Sequence, residues 1–283
     1  MANAIVWFRN DLRLADNPAL QAALDAGYAP IPVYIHAPEE EGDWASGAAS
    51  ETWRHRSLAA LDADLRGRGS RLRIFHAPTL QTLQTLAAAC DAEAVFWNRR
   101  YEPAIEKRDT AIKSALKQQG LRAESHNGAL LLEPWQIATK QGGPYKVFTP
   151  FWRAGSAMLQ LPMLHDAPAT LPHVDDGPHG LPLDALNLSP SLGWDSGFWE
   201  HWQPGERGAR AALGNDCDPA RCRRTRRRRR IHPAAAPPGL AAARTAAAGR
   251  ARCMAAAARP PAATAERPGT HRNRLVGRRQ RGA

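Results

Sequence analysis

"VWFRNDLRLADNPAL", Val6 to Leu20, carries an apolar strand across a charged loop and into a helix, and its reading decides the fold. The strand is "AIVWF" (Ala4 to Phe8), and the helix opens at Asn17-Pro18, a capping side chain followed by proline at the first helical position. The same alternation repeats downstream. "APIPVYI" (Ala29 to Ile35), "RLRIF" (Arg71 to Phe75), "AVFWN" (Ala94 to Asn98) and "RAESH" (Arg122 to His126) read as strands. Pro18 to Ala26, Ser50 to Arg66, Thr79 to Cys90 and Ile105 to Gln119 have apolar residues at helical spacing, with Thr79 as a second N-cap. Strands alternating with helices predict an α/β fold: a Rossmann-like open parallel sheet with helices on both faces.

Beyond the sheet region the pattern loosens. The spacing predicts a helix from Arg153 to Leu161, then a Pro-, Asp- and Gly-rich stretch to Pro190, and a new helix begun within "GWDSGFWEHWQPGERGARAAL" and ending at Leu213. Expected boundaries are an α/β domain over 1–130, a connector over 131–197, the start of a helical domain over 198–213 and a low-complexity tail over 214–283.

Charge divides the chain sharply. Through Glu206 there are 18 Lys+Arg against 24 Asp+Glu, and after it 20 against 3, so the net of +11 belongs to the tail. All nine Trp, six Phe and four Tyr lie at or before Trp202. With no aromatic anchor and a strong positive charge, the tail is expected to be disordered. No basic leader precedes the first strand and no apolar run reaches bilayer length, so a soluble cytoplasmic protein without a membrane partner is expected. Cys217-x4-Cys222 lacks a second ligand pair, Cys90 stands in a helix, and neither metal nor disulfide is expected.

Arg9, Asp11, Arg13 and Asp16 follow the first strand, where an open α/β sheet has its ligand crevice. They can fix a polar ligand or one another, and spacing alone favours local pairing. Neither a G-x-G-x-x-G nor a P-loop pattern is present to cradle a dinucleotide or nucleoside triphosphate.

This stretch resembles the opening of the DNA photolyase and cryptochrome family. Further likenesses follow in order: "GAASETWRHRSLAALDADL" (Gly47 to Leu65), "FWNRRYEP" (Phe96 to Pro103), "PYKVFTPFW" (Pro144 to Trp152) and "FWEHWQPGE" (Phe198 to Glu206). The resemblance implies an α/β antenna domain ahead of a larger helical domain. That second domain would hold FAD and repair cyclobutane pyrimidine dimers flipped out of UV-damaged DNA, under light. It implies an antenna chromophore near Asn10, Tyr34, Asn98, Arg100 and Glu102, either methenyltetrahydrofolate or 8-hydroxy-5-deazaflavin. The deazaflavin pattern has an acid where this chain has Arg100, and the pterin pattern an Asn-Glu pair where it has Ala104-Ile105, so both stay open. Apart from the resemblance, Asn98 and Glu102 read as loop caps. Trp7, Trp97 and Trp152 read as core or interface packing, and His165 and His173 as loop residues.

The implied function is a DNA repair lyase, with a cryptochrome-type blue-light photoreceptor or a non-catalytic nucleic-acid-binding fragment as alternatives; a monomer is expected. After Leu213 nothing resembles the family's flavin-phosphate segment. The 77 residues after Glu206 hold 22 Ala, 20 Arg, 7 Pro and 7 Gly but no Lys, the yield of a GC-rich gene read out of frame. An inactive chain lacking the FAD domain is therefore expected. The run Arg223 to Arg230 would bind nucleic acid electrostatically whatever its origin.

Overall fold

The computed structural model describes residues 1–160 and 163–216. The tail and its cysteines, with the Arg223 to Arg230 run, lie outside the described residues. Five strands, β1 (Asn3–Phe8), β2 (Ala29–His36), β3 (Arg73–His76), β4 (Ala92–Asn98) and β5 (Arg122–His126), form one sheet in the order β3-β2-β1-β4-β5. Every pairing is parallel. Helices α1 (Pro18–Asp25), α2 (Ala48–Arg66), α3 (Thr79–Ala89) and α4 (Pro103–Gln118) make the crossovers.

Parallel strands covered on both faces must be apolar on both, and β1 is buried from Ala4 to Phe8. Its alternate side chains feed two cores. Val6 and Phe8 pack with Leu20 of α1 and Leu58, Leu61 and Leu65 of α2. Ile5 and Trp7 pack with Leu83 and Leu86 of α3 and Ile112 and Leu116 of α4. β1 lies between β2 and β4, so the winding direction reverses at its carboxyl end and opens a crevice there.

Asn17 caps α1 as expected, accepting a hydrogen bond from the Leu20 amide at 3.2 Å. Thr79 does not cap α3: it is the first helical residue, and Pro78 precedes it. The start of that helix is satisfied from a distance by Glu40, whose carboxylate accepts from the Thr79 amide at 2.7 Å and hydroxyl at 2.6 Å. β3 begins two residues later than expected, at Arg73.

Helix α5 spans Phe148–Met158 and does not start at Arg153. Pro150 falls in its first turn, where a missing N–H costs no intrahelical bond. Helix α6 spans Glu206–Asp216. The "GWDSGFWEHW" segment ahead of it makes only a short 3-10 turn, Ser196–Phe198. Trp7 and Trp97 are core residues, whereas Trp152 is half exposed.

The Pro-rich stretch of 163–190 straps the domain. Leu171, Leu186 and Leu188 enter the core beside α2. Arg73, 1% exposed, donates to the carbonyls of Val174 (2.5 Å), Asp176 (2.6 Å) and Pro178 (3.3 Å). Gly180 (φ +84°) passes so close to β3 that a Cβ there would lie 2.4 Å from the Ile74 carbonyl oxygen. Farther along the chain, Glu206 accepts from the Leu14 amide at 2.8 Å.

Replacing Arg73 by Met removes the guanidinium donor from these partly buried carbonyls and leaves Asp176 only the Cys90 thiol, at 3.2 Å. The expected cost is about 3 kcal/mol in denaturant unfolding, at 1–3 kcal/mol for each uncompensated group with partial relaxation. Proteinase K should then cut the strap before the sheet. An unchanged midpoint and an intact strap would contradict this account.

Candidate functional site

The crevice is built around a cation that the sheet has no easy way to hold. Arg9 follows β1 and is 5% exposed. Its guanidinium donates to the Asp109 carboxylate of α4 and to the Asn98 carbonyl at the end of β4. Burial pulls the Arg9 pKa below its ordinary value, while Asp109 and Asp11 oppose that loss. Asp109 also accepts from Arg108 at 2.8 Å, and both guanidinium groups lie over the Trp7 ring, at 4.8 Å for Arg9 and 5.3 Å for Arg108. Trp7 in turn lies against Trp97, with ring centroids 6.0 Å apart.

Asn98 organises the other side. Its side-chain oxygen accepts from the Ala19 amide of α1 at 3.1 Å, and its amide donates to Asp11 and, at 2.8 Å, to Asn17. Gly128 approaches so closely that a Cβ would lie 2.7 Å from Asn98 Cγ. Arg13 holds that approach by donating to the Gly128 carbonyl at 2.9 Å.

Above this base a narrow cleft opens to solvent, with a cavity volume of ≈ 30 Å³. Trp7 forms its floor, Tyr34 and His36 one wall, and Glu51 and Arg54 of α2 another. A turn, Pro38–Trp44, crosses the rim and is tied down by its acids. Glu40 reaches α3 as described, and Glu41 accepts from Arg100 at 2.5 Å. Arg100 also donates to Glu102 at 2.9 Å. Burial disfavours the Arg100 cation, but its hydrogen bonds to Glu102 and Glu41 outweigh that and raise its pKa. Burial pushes Tyr34 up to about 12, so it remains a neutral hydroxyl at physiological pH. Burial also raises Glu51 against the pull of Arg54.

Three buried polar atoms of lining residues have no hydrogen-bond partner among the described residues: the donors Trp7 Nε1 and Arg9 Nε, and the acceptor Glu51 Oε2. A buried polar atom without a partner costs stability, so lining residues that keep two donors and one acceptor in reserve are suited to a polar ligand.

The comparisons with known proteins agree with this architecture. The DNA photolyase family model matches residues 4–172. The chain belongs to the DNA photolyase family. It is 42% identical over 222 residues to a deoxyribodipyrimidine photo-lyase of Agrobacterium fabrum, covering 77% of this chain and 45% of the relative. It is 41% identical over 155 residues to Cryptochrome-2 of Arabidopsis thaliana, covering 53% and 24%. The crystal structure of a bacterial class III photolyase from Agrobacterium tumefaciens superposes with a TM-score of 0.71 at 40% identity, covering 76% of this chain and 44% of that one. The chain thus spans less than half the length of each of these proteins.

Among the residues singled out from sequence, Asn10, Tyr34 and Arg100 line the cleft. Asn98 and Glu102 do not. Asn98 is buried behind the floor, and Glu102 holds Arg100 while standing at the start of α4. The local pairing expected among Arg9, Asp11, Arg13 and Asp16 is only partial: Arg9 takes its charge partner a hundred residues on. Sequence reasoning passed over Trp7, Glu41, Glu51 and Asp109. Asp109 did carry a signal, since it lies on the buried stripe of α4 with Ile105, Ile112 and Leu116, where a charge requires a partner.

Burial lowers the pKa of His36 and His126 below the ordinary 6.5, with Arg54 and His76 adding to the effect at His36. The unfolded chain therefore takes up protons first as pH falls. Stability should be full above about pH 6.5 and decline as the pH falls from there toward the folded-state pKa values. Urea midpoints between pH 7.5 and 5.5 should drop in the wild type and flatten in a His36→Gln, His126→Gln variant. Equal slopes in both would refute the assignment.

Proposed function

We propose that this chain is the light-harvesting part of a photolyase, holding an antenna chromophore in the cleft beyond β1, β2 and β4. The observation that carries the reading is the set of unpartnered atoms on residues lining that cleft, Trp7 Nε1 and Arg9 Nε as donors and Glu51 Oε2 as acceptor. A pterin or deazaflavin ring carries N–H donors and carbonyl acceptors at its edge, the complement of a carboxylate and an indole N–H. Tyr34, Arg100 and Asn10 would complete the contacts, with Asn98 and Glu102 holding them from behind. The chemistry of these residues matches such a group, methenyltetrahydrofolate or 8-hydroxy-5-deazaflavin, which when bound supplies absorption of near-UV or blue light; the cleft, at ≈ 30 Å³, would have to open to admit the ring. The protein's own part is to orient the ring and keep water from its edge.

The process served is FAD-dependent repair of cyclobutane pyrimidine dimers in UV-damaged DNA, with the chain acting as a monomer. The segment expected to meet FAD lies outside the described residues, and the chain by itself carries no repair activity in this reading. The likeness to Cryptochrome-2 supports a second reading, a photoreceptor built on the same cleft. Dimer repair by an intact relative separates the two.

Titrating the full chain with each chromophore should quench tryptophan emission, because Trp7 forms the cleft floor. Glu51→Gln should weaken binding by roughly tenfold or more, as a charge-assisted hydrogen bond is worth about 1.5–3 kcal/mol. The chain alone should not repair dimers in light. Failure to bind either chromophore would defeat the antenna reading, and a bound flavin with light-dependent repair would defeat the inactive reading.

A further inference from the structure

The cleft beyond β1, β2 and β4 is shut too tightly for a ring to enter. Its volume of ≈ 30 Å³ is room for about two water molecules, at roughly 10–15 Å³ for each, and falls far below what a multi-ring ligand needs. One wall must move, and the walls are not equally free. The floor belongs to the sheet, and α2 is fastened to the core through Leu58, Leu61 and Leu65. The segment between β2 and α2 has no such anchor: from Ala37 to Gly47 no residue with a described side chain is buried. Among the described residues, the backbone hydrogen bonds of Pro38 to Ser46 are local, from Glu40 to Ala37 at 3.1 Å and from Ala45 to Gly42 at 3.2 Å.

Side chains are what tie this segment to the body of the domain. Glu40 roots its first half on α3 at Thr79. Glu41 accepts from Arg100 at 2.5 Å, and Ser46 accepts from Arg54 of α2 at 2.7 Å. All four of these residues line the cleft, so the two ties close it. Arg100 also donates to Glu102 at 2.9 Å, and Arg54 to Glu51 at 2.6 Å, so both cations keep a partner when the segment leaves. Between the ties stands Gly42 at φ +56° and ψ −136°, a conformation that an L side chain rarely adopts. We propose that Glu41 to Ser46 form a hinged flap that shuts the cleft, pivoting at Gly42, and that a ligand is admitted only when Glu41 releases Arg100. The identity of that ligand rests on the antenna reading, whereas the motion belongs to the empty protein.

Two variants of the full chain test the motion and the admission separately. Glu41→Ala removes the latch, and Gly42→Ala penalises the closed backbone at a position where a Cβ would meet no other atom within 4 Å. Under brief native-state digestion of the empty protein by proteinase K, cutting within residues 41–47 follows the population of the open flap. It should run about tenfold faster in each variant, the lower end of what a charge-assisted hydrogen bond or a strained φ is worth, with β1 and β4 uncut. The closed cleft does not hold the ring, so opening precedes binding. Easing it should raise the association rate of methenyltetrahydrofolate or 8-hydroxy-5-deazaflavin about tenfold, leave dissociation unchanged and tighten Kd by the same factor. Were Glu41 a contact to the ligand instead, its removal would speed dissociation and weaken binding. Unchanged cutting at residues 41–47 would overturn the flap, as would association no faster in either variant with a chromophore that binds. Faster cutting with neither chromophore bound would leave the flap standing and defeat the antenna reading alone.

Discussion

A buried arginine is the constraint around which this domain is arranged. Removing the Arg9 guanidinium from water is unfavourable, and its pKa falls for that reason. The fold offsets the loss with Asp109 and the Asn98 carbonyl, and these two partners lie on α4 and at the end of β4. One ion pair therefore fixes the loop after β1, the end of β4 and the start of α4 in a single arrangement. The cleft floor depends on it, because the cations sharing Asp109 are those that lie over the Trp7 ring. Removing either member would strand the other, which is how such pairs enforce geometry even when they add little net stability.

From that base the cleft is assembled by carboxylates acting at a distance. Glu40 caps a helix it does not belong to, and Glu41 and Glu102 brace Arg100 from two directions. Most charged groups around the rim are thereby spoken for. What is left over is a neutral tyrosine, an indole N–H, the Arg9 Nε–H and one carboxylate oxygen.

The fold was legible because parallel strands buried on both faces leave near-continuous apolar runs, and Asn17-Pro18 announces a helix start without ambiguity. Strand and helix order followed directly. Errors arose where local chemistry yielded to distant groups. Thr79 resembled a cap, but Glu40, 39 residues away, performs that role. α5 begins at Phe148 because a proline in the first turn breaks nothing, although a proline reads locally as a stop. Asn10, Tyr34 and Arg100 could be found through family likeness, whereas Glu51 and Trp7 acquire meaning only once folding removes their partners. The Pro-rich strap, read as a connector, packs by backbone carbonyls onto Arg73, a contact that no periodicity encodes.

The most direct test of this account is a double-mutant cycle on Arg9 and Asp109, with Arg9→Met, Asp109→Leu and the double variant compared by denaturant unfolding and by near-UV circular dichroism of the Trp7–Trp97 pair. If the buried pair organises the cleft, each single change costs about 3–5 kcal/mol and loses the aromatic signal, while the double variant costs no more than the worse single one. Single effects that simply add, with the aromatic signal retained throughout, would contradict it.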